Sequence, residues 1–554
     1  MKVTRRDLLV WSAGAAAGLV VTPVPWKILD DVSIWSQNWP WIPQPAKGPV
    51  EVKQSACTLC PNGCGLRVRM AGGCPVGLSG VNTNPVSRGA LCPLGFGAHQ
   101  LNWHPRRLRN VKHRGNISSW SEASAAFAKA AREGPIVIVD GHPGRSASSV
   151  LENFAEKWGG GYRVAMGPET RSLAPYELWS GVPATSLGYD LENTQTIVSF
   201  GAPLLDGWGI PGRFPRLWAE RAASMNDPQL RIVQADPSLS RTAARAWQWL
   251  QVREGSESAL AAGLVRALLE QNLVPAHGAI PLATISEAAN ETGLSADRIR
   301  ELARTIVAKP PVLAVSPDFN PAVAALNVVL GAVGARGGIV RSSDRTKKYS
   351  SVAGAISNVR AVVIDSSVPW DFAAKSDAEV FRFAAWDGGS SKGDWLLPAP
   401  GFLEESTDIS TPPAYPVETY AVAANLAKPT FEVQTAARFL ANLDASAGTP
   451  ETILHSRCEQ LFRSRSGTLY GQTITPMTEI ASTQELEKHL WDGAVWVGER
   501  CSAKLACELK EWPSASPSSR AGNWTQPWLA PVLPPLASKL YIESNLRGTP
   551  GRTV

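Results

Sequence analysis

Residues 57–64 read Cys57-Thr58-Leu59-Cys60-Pro61-Asn62-Gly63-Cys64, and a fourth cysteine, Cys92, follows after 27 intervening residues. Thiolates are the soft ligands that a [4Fe–4S] cubane requires, one at each iron. A tight trio from one loop and a fourth ligand from a returning segment can surround such a cube. The spacing therefore predicts a [4Fe–4S] cluster whose ligands are Cys57, Cys60, Cys64 and Cys92.

Two other interpretations of these cysteines are a structural zinc site and disulfide bonds. Zinc usually binds paired Cys-x2-Cys knuckles, and disulfides show no fixed short spacing, so the pattern favours the cluster. Cys74 lies in the intervening loop and is not expected to be a ligand. The four cysteines outside the predicted cluster could pair or be buried thiols, and they are Cys74, Cys458, Cys501 and Cys507.

The cysteine spacing resembles that of the amino-terminal domain of the molybdopterin oxidoreductase (DMSO reductase) family. The resemblance extends over residues 55–410, through segments at 190–203, 231–246, 251–260, 327–338 and 393–404. Residues 26–43 and 534–547 look like parts of a narrower group, the large subunits of menaquinone reductase and alternative complex III. The resemblance implies interleaved doubly wound α/β domains behind the small cluster domain.

The strand pattern agrees with this fold class, because apolar runs alternate with helical patterns as they do in βαβ units. Helical periodicity is found at Ser256–Leu269 and at Ser295–Ala308, where Ser295 is the expected N-cap. The C-terminal part has one clear strand candidate, Ala494–Glu499. The other strand candidates are Pro135–Asp140, Thr196–Gly201, Arg231–Asp236, Pro311–Val315 and Ala361–Asp365.

Three features depart from a working molybdenum enzyme of this family. No cysteine occurs between Asp140 and Asp190 to bind the metal, and nothing marks Ser172, Ser180 or Ser186 as a substitute. Leu94 stands where the family typically has a cation between cluster and pterin, so no charge steadies an anionic cofactor there. The region after residue 445 is short for the domain that closes over the second pterin. We therefore expect molybdopterin guanine dinucleotide and molybdenum to be absent.

The first 25 residues resemble a twin-arginine export signal, in which Arg5 and Arg6 precede a short apolar run. No Ala-x-Ala cleavage site precedes Trp26, so the segment could be retained as an anchor. Residues 26–50 form a strip rich in tryptophan and proline. This strip could cover its own domain or contact a membrane surface or partner subunit, where tryptophan is favoured.

Composition excludes several classes of function. The net charge of +6 is mild for 554 residues and the basic residues are dispersed, so we expect no nucleic-acid partner. No zinc-hydrolase, c-type haem, P-loop or Gly-x-Ser-x-Gly motif occurs. His99 and His104 follow the cluster closely and are expected to be surface or supporting residues. The match of Gly207–Gly212 to G-x-G-x-x-G is interpreted as a loop, which in this fold would lie near the pterin cleft.

The predicted domains are a signal or anchor (1–25), the strap (26–50), the cluster domain (51–112), the α/β domains (113–445) and a shortened C-terminal region with a proline-rich tail (446–554). The resemblance implies an electron-transfer and scaffold subunit of a quinone:cytochrome oxidoreductase at the periplasmic face of the bacterial inner membrane. Its expected partners are a membrane subunit that interacts with quinone, a ferredoxin-like iron–sulfur subunit and a multihaem cytochrome c. The alternatives are an active molybdenum or tungsten bis-pterin enzyme and a non-redox assembly subunit. No catalytic residue is assigned.

Overall fold

A computed structural model describes residues 3–22, 25, 48–165, 167–210, 212–222, 228–275, 283–341, 358–367, 378–387, 394–500 and 505. The chain divides into two units, Met1–Gly48 and Pro49–Val554. Most of the tryptophan-rich strip, Cys501, Cys507 and the proline-rich tail lie outside the described residues.

The first unit contains helix α1, Arg5–Val21. Thr4 caps it by accepting a hydrogen bond from the backbone N–H of Asp7, and the Asp7 carboxylate accepts one from the N–H of Thr4. The predicted signal arginines therefore occupy its first turn. Among the described residues, none of the helices has both the length and the apolar character needed to cross a membrane.

The second unit begins with a three-stranded antiparallel sheet of β1 (Val50–Ala56), β2 (Gly65–Ala71) and β3 (Cys74–Gly80). On β2 the inward side chains alternate with exposed Arg67 and Arg69, as expected for a strand with one solvated face. The short helix α2 (Pro93–Gly97) and the 3₁₀ helix Ala98–Trp103 follow. This part carries all four predicted cluster ligands.

A seven-stranded sheet lies at the centre of the second unit, with a parallel core of five strands. Its strand order is β5 (Asn116–Ile117), β4 (Lys112–His113), β16 (Trp395–Pro398), β15 (Glu379–Ala384), β14 (Ala361–Ile364), β6 (Ile136–Asp140) and β7 (Gly161–Val164). Helices α3 (Trp120–Glu133), α4 (Ser146–Lys157) and α13 (Ala436–Leu443) share its hydrophobic core.

A four-stranded parallel sheet is inserted in the chain between the two halves of the seven-stranded sheet. Its order is β11 (Gln248–Gln251), β10 (Arg231–Asp236), β9 (Thr196–Phe200) and β12 (Val312–Val315). The flanking helices are α5 (Pro168–Arg171), α6 (Ala174–Ser180), α7 (Arg213–Arg221), α8 (Arg241–Arg245), α9 (Glu257–Glu270), α10 (Ile285–Thr292), α11 (Ala296–Val307) and α12 (Pro321–Val329). The interleaved doubly wound architecture is thus confirmed, as are all five strand predictions and both helices.

Local chemistry explains where these helices begin and how they are held. Ser295 accepts a hydrogen bond from the backbone N–H of Arg298, which confirms it as the N-cap of α11. Asn327 on α12 is fully buried and bonds the backbone of Ala314 on β12 through both its amide groups. A buried amide is stable only when it is hydrogen-bonded, so this residue fixes the helix against the sheet.

The C-terminal part contains more regular structure than the sequence predicts. The expected strand is present as β21 (Val495–Arg500), and β19 (Thr468–Tyr470) and β20 (Ile474–Pro476) were missed. They join β17 (Thr407–Ile409) and β18 (Val417–Ala423) in an antiparallel sheet. Helices α14 (Pro450–Ser464) and α15 (Thr483–Trp491) pack beside it. The strand β20 is mostly exposed and β19 has only three residues, so neither contains an apolar alternation long enough to be visible in the sequence. β8 (Leu187–Tyr189) and β13 (Ile339–Arg341) form a separate pair.

Candidate metal centre and adjoining cleft

The loop between β1 and β2 brings three cysteines into one buried turn. Cys57, Cys60 and Cys64 are 5%, 8% and 6% exposed. The backbone N–H of Cys57 donates to the carbonyl of Cys64 at 2.8 Å, which closes the loop. Gly63 has φ 59°, and a Cβ there would lie 2.6 Å from the Ile409 side chain. A side chain at this position would therefore open the turn that holds the three sulfurs.

The fourth cysteine is returned to this turn by a second polar loop. Asn84 accepts hydrogen bonds from the backbone N–H groups of Val86 and Ser87, and Ser87 Oγ accepts from the N–H of Gly65 beside the first loop. Cys92 then caps α2, with its Sγ accepting from the N–H of Gly95 at 3.3 Å. Cys92 is half-buried, so it is the least buried of the four.

The four thiols are close enough to influence one another. Burial raises the pKa of Cys57 to about 12, with a further contribution from Cys92. Burial also raises the pKa values of Cys60 and Cys64 well above the ordinary range, and the neighbouring cysteines add to the effect. Buried thiolates are stabilised by cations, and cluster iron supplies that charge. The four side chains thus fit the cluster that their spacing predicts.

The remaining described cysteines lie elsewhere. Cys74 is half-buried at the start of β3, and Cys458 is buried on α14. The six described cysteines are all free thiols. Within the described part of the chain, no group of three or more His, Cys, Asp or Glu residues is arranged to hold a single metal ion. A cubane differs from such a site, because each of its thiolates binds a separate iron.

A cleft opens beside the cysteine loop and has a cavity volume of about 210 Å³. Thr58, Leu59, Cys60 and Pro61 form one wall. The other walls come from 141–147, 365–367, 382–386 and 400–415. The first three of these segments include or follow the carboxyl ends of β6, β14 and β15, where parallel α/β sheets place their ligand sites.

A largely covered arginine at the cleft, with a side chain that is 12% exposed, is held by two carboxylates of the same chain. Arg145 Nη2 lies 2.9 Å from Asp140 Oδ1 and 2.9 Å from Asp365 Oδ2. Asp140 also accepts hydrogen bonds from Ser148 and Tyr162. Although burial opposes it, the charge of Arg145 lowers the pKa of Asp140 to about 2. Arg145, Asp140 and Asp365 together carry a net charge of −1, so the charge of this arginine is already neutralised within the chain.

The cleft has a further buried carboxyl group and a supporting network beneath it. Burial raises the pKa of Glu405 to about 7, against the effect of Arg438. Asp408 accepts from the N–H and hydroxyl of Ser146, from the Tyr420 hydroxyl and from Arg457 Nη1. These bonds join α4, β17, β18 and α14. Asp408 therefore links the C-terminal helix α14 to α4 and to the two strands β17 and β18.

A second buried ion pair joins the cluster domain to the central sheet. Arg107 and Glu404 form it with side chains that are 1% and 4% exposed. Arg107 Nη1 also donates to the carbonyls of Ala385 and Ala399, each at 3.0 Å. The Glu404 carboxylate accepts from the N–H of Gly401 at 2.6 Å. The pair is therefore supported by several hydrogen bonds, as a buried charge requires.

Sequence reasoning missed Arg107, Asp140, Arg145, Asp365, Glu404 and Asp408. The signal for two of them was present, because the runs at 136–140 and 361–365 both end in aspartate, and the carboxyl ends of parallel strands meet at one edge. The predicted loop at 207–212 is not among the residues that line the cleft. Trp208, Gly209 and Ile210 line a separate small cavity that shares Pro413 with the cleft, and the Gly209 carbonyl accepts from Asn62 of the cysteine loop at 3.2 Å.

Other predicted positions also lie away from the cleft wall. Leu94, Ser172, Ser180 and Ser186 are not among the residues that line it. Ser172 bonds the Tyr189 hydroxyl at 2.7 Å, and Ser180 donates to the carbonyl of Tyr176. His104 Nδ1 accepts from the N–H of Arg106 at 3.1 Å, which fits its expected supporting role.

Comparison with known proteins assigns this domain. Residues 50–102 match the molybdopterin oxidoreductase Fe4S4 domain, which contains all four cysteines. The chain is a relative of the molybdopterin oxidoreductases. It is 29% identical over 503 residues to the menaquinone reductase, molybdopterin-binding-like subunit of Nitratidesulfovibrio vulgaris, which covers 81% of this chain and 72% of that one.

Three other similar proteins are more distant. The formate dehydrogenase, nitrate-inducible, major subunit of Escherichia coli is 26% identical and covers 50% of this chain, which spans 30% of that subunit. The thiosulfate reductase molybdopterin-containing subunit PhsA of Salmonella typhimurium is 23% identical, with coverage of 62% and 49%. Acetylene hydratase from Pelobacter acetylenicus shares the fold, with a TM-score of 0.56, 13% identity and coverage of 81% and 74%.

The linked carboxylate and arginine at the cleft predict a specific acid sensitivity. The pKa of Asp140 is about 2 in the folded chain and 3.8 ordinarily. The contribution of its carboxylate to the free energy of unfolding is therefore complete above pH 4 and is lost as pH falls through 2. The shift corresponds to about 2 kcal/mol of unfolding free energy. Urea unfolding between pH 2 and 6 should show a smaller acid-dependent loss in Asp140→Asn. Asp297→Asn, at an exposed carboxylate on α11, is the control. Identical pH profiles for wild type and Asp140→Asn would contradict the prediction.

Proposed function

We propose that this chain is the iron–sulfur electron-transfer and scaffold subunit of a membrane-bound, quinone-linked oxidoreductase complex. The observation that carries the proposal is the convergence of Cys57, Cys60, Cys64 and Cys92 in a domain of this family. The similarity to the menaquinone reductase subunit supports the kind of complex. A bound [4Fe–4S] cluster accepts and donates one electron at a time. The chain's own residues hold the four thiols, shield them from water and connect them to the central sheet.

The same proposal assigns no molybdenum site to this chain. A bis-pterin cofactor carries several phosphate charges, and burying them without matching donors costs several kcal/mol. Arg145 is already paired with Asp140 and Asp365, and Glu405 adds a further acidic group to the wall. The wall contains one other arginine, Arg382, so its two cations are matched by the carboxyl groups of Asp365 and Glu405 and leave no positive excess for several phosphate groups.

The main alternative is an active molybdenum or tungsten bis-pterin enzyme. The contact of the cleft with Cys60 favours it, since a reacting group there would be next to a cluster ligand. The third candidate, a non-redox assembly subunit, would use the cluster only to staple the fold. It is tested by electron paramagnetic resonance during a redox titration, in which a redox-inert cluster would support it.

Metal and pterin analysis of the purified protein tests the proposal. We expect about four irons per chain, by the ligand count of a cubane, and neither molybdenum nor tungsten. Acid–iodine oxidation should release no fluorescent pterin. Recovery of about two pterins per chain with stoichiometric molybdenum or tungsten would establish the alternative enzyme.

We further propose that the complex lies at the periplasmic face of the bacterial inner membrane and that this chain is exported by the twin-arginine route. Its partners in the proposal are a quinone-interacting membrane subunit, a ferredoxin-like iron–sulfur subunit and a multihaem cytochrome c. The domain boundaries at residues 25, 50, 112 and 445 are part of the same proposal.

Export gives a direct prediction for the first helix. Changing both Arg5 and Arg6 to lysine should leave the protein in the cytoplasm, because the paired arginines are read as an address rather than as structure. Immunoblotting of the cell fractions locates the protein. The iron content of the protein, measured in the same fractions, should be unchanged. The matched control changes Arg67 and Arg69 to lysine and should be exported normally. Normal export of the Arg5/Arg6 variant would refute the signal.

A further inference from the structure

The cluster domain has an unusual charge distribution. Residues 52–121 contain nine lysines and arginines and no aspartate or glutamate. The whole chain carries +6, so the remainder has a net charge of −3. Five of the nine cations pair with carboxylates outside this segment, and they are Lys53, Arg88, Arg107, Lys112 and Arg114. The other four are exposed and make no ion pair with the described residues: Arg67, Arg69, Arg106 and Arg109.

A stripe of four exposed side chains, three of them apolar, begins directly after the fourth cysteine. Pro93, Phe96, Gln100 and Trp103 are all exposed, and they recur every three or four residues through α2 and the 3₁₀ helix. Residues at this spacing share one face of a helical run. Phe96 is 49% and Trp103 63% exposed, whereas Ala98 and Leu101 belong to the hydrophobic core on the inner side. We call the four exposed residues the Phe96 stripe.

The stripe, the free cations and the least buried cysteine occur together. Cys92 immediately precedes Pro93, and it is half-buried while the other three cysteines are buried. Arg106 and Arg109 follow Trp103, in a turn closed by the bond from the N–H of Arg107 to the carbonyl of His104. The backbone N–H of Asp387 donates to the carbonyl of Arg106, and the Asp387 carboxylate is paired with Lys112 at 2.8 Å. The local surface is therefore apolar at its centre and cationic at its end.

We propose that the Phe96 stripe, with Arg106 and Arg109, is the docking surface for an acidic one-electron carrier protein, and that electrons cross the interface beside Cys92. This inference rests on the proposed electron-transfer function. In the exchange the carrier gains the one electron that the centre loses, and no covalent bond forms. Aromatic side chains and arginine are enriched in protein interfaces, and complementary charge speeds association.

Charge favours this partner over two others. A second copy of the chain would place like cations against each other if it docked through the same surface, which is unfavourable. The tryptophan-rich strip at 26–47 has two lysines and two aspartates, so it has no net charge to complement the cations. An anionic lipid surface would match the charge but gives no reason for the stripe to begin at a cluster ligand.

The test uses the full chain with its cluster and two carriers as probes, an acidic [2Fe–2S] ferredoxin and a basic c-type cytochrome. Binding is measured by calorimetry and electron exchange by stopped-flow absorbance, at about 10 and 200 mM salt, where screening differs strongly. We expect the acidic carrier to bind more tightly than the basic one and to lose about tenfold or more in rate at the higher salt.

Paired variants locate the surface. Arg106→Glu with Arg109→Glu should weaken binding of the acidic carrier about tenfold or more and flatten its salt dependence. Phe96→Ser with Trp103→Ser should weaken binding while keeping the salt dependence, because it removes apolar contact and leaves the charge. The charge control is Lys129→Glu with Arg132→Glu on α3, and the apolar control is Leu239→Ser with Ile474→Ser, at residues that are 61% and 62% exposed. Both controls should behave as wild type.

Several outcomes would overturn the docking surface. One is that the paired variants bind the acidic carrier as tightly as their controls do. Another is that the basic carrier binds wild type as tightly as the acidic one. A third is that vesicles with phosphatidylserine bind wild type as tightly as the acidic carrier does and lose binding with the same variants. Protection of Phe96 and Trp103 from hydroxyl radicals in the isolated chain would also overturn it, since the chain would then cover its own stripe.

Binding and electron exchange separate this inference from the proposed function. Carrier binding that depends on the stripe, with a cluster that takes up no electrons, would refute the function and keep the docking surface. Electron exchange that is unaffected both by Phe96→Ser with Trp103→Ser and by Arg106→Glu with Arg109→Glu would refute the docking surface and keep the function.

Discussion

Replacing Cys60 with serine is expected to remove most of the cluster iron and most of the soluble protein. The substitution takes away one of four thiolates, so one iron loses its protein ligand. Metal binding and folding are coupled in small metal-centred domains, and the cysteine loop is also one wall of the cleft. The measurements are iron per chain, the visible absorbance of the cluster and the yield of soluble protein.

Cys74→Ser is the matched control for this variant. Cys74 is in the same domain, at the start of β3, but it does not contribute to the buried turn of the other cysteines. Its iron content should equal that of wild type. Full iron in Cys60→Ser, or equal iron loss in both variants, would refute the assignment of Cys60 as a ligand.

Replacing Arg107 with leucine should lower the free energy of unfolding by about 3–5 kcal/mol, the usual cost of leaving one charge of a buried pair uncompensated. The variant leaves the buried Glu404 carboxylate without its cation and removes the donors to Ala385 and Ala399. Urea unfolding measures the change. The control is Arg109→Leu, two residues away and exposed, which should change the free energy by less than about 0.5 kcal/mol.

A double variant, Arg107→Leu with Glu404→Leu, distinguishes a lost ion pair from lost packing. If the uncompensated carboxylate causes the instability, the double variant should be more stable than Arg107→Leu alone. A double variant that is less stable by the sum of both single changes would contradict this explanation. Because the pair joins the cluster domain to the central sheet, its loss should also expose cluster iron to chelators.

The balance of charge in the cleft bears on how the scaffold is used in this chain. Arg145 and Arg382 line the cleft together with Asp365 and Glu405, so the wall has no excess of positive charge for phosphate groups. In the proposed function the cleft is retained as part of the scaffold, and the electron path runs through the cysteine loop to the surface. Metal and pterin analysis therefore tests the cleft beside the cysteine loop, and the carrier experiments test the protein surface beside Cys92.

The cysteine spacing was sufficient to predict the metal centre, because the ligands of a cubane must come from a short turn and a returning segment. The five buried parallel strands were also evident, since strands covered on both faces are continuous apolar runs. Ser295 was recognised as an N-cap because capping is a local interaction between a side chain and the next turn.

Only the tertiary structure decided which distant residues meet. Arg107 and Glu404 are separated by 297 positions, and Arg145 and Asp365 by 220, so no local pattern links them. The strands β19 and β20 form because β21 provides hydrogen-bonding partners for β19, not because their own residues alternate. Buried charges and edge strands depend on neighbours brought together by the fold. The sequence alone therefore determined the cluster and the fold class, and the tertiary structure decided the cleft, its neutralised arginine and the exposed stripe beside Cys92.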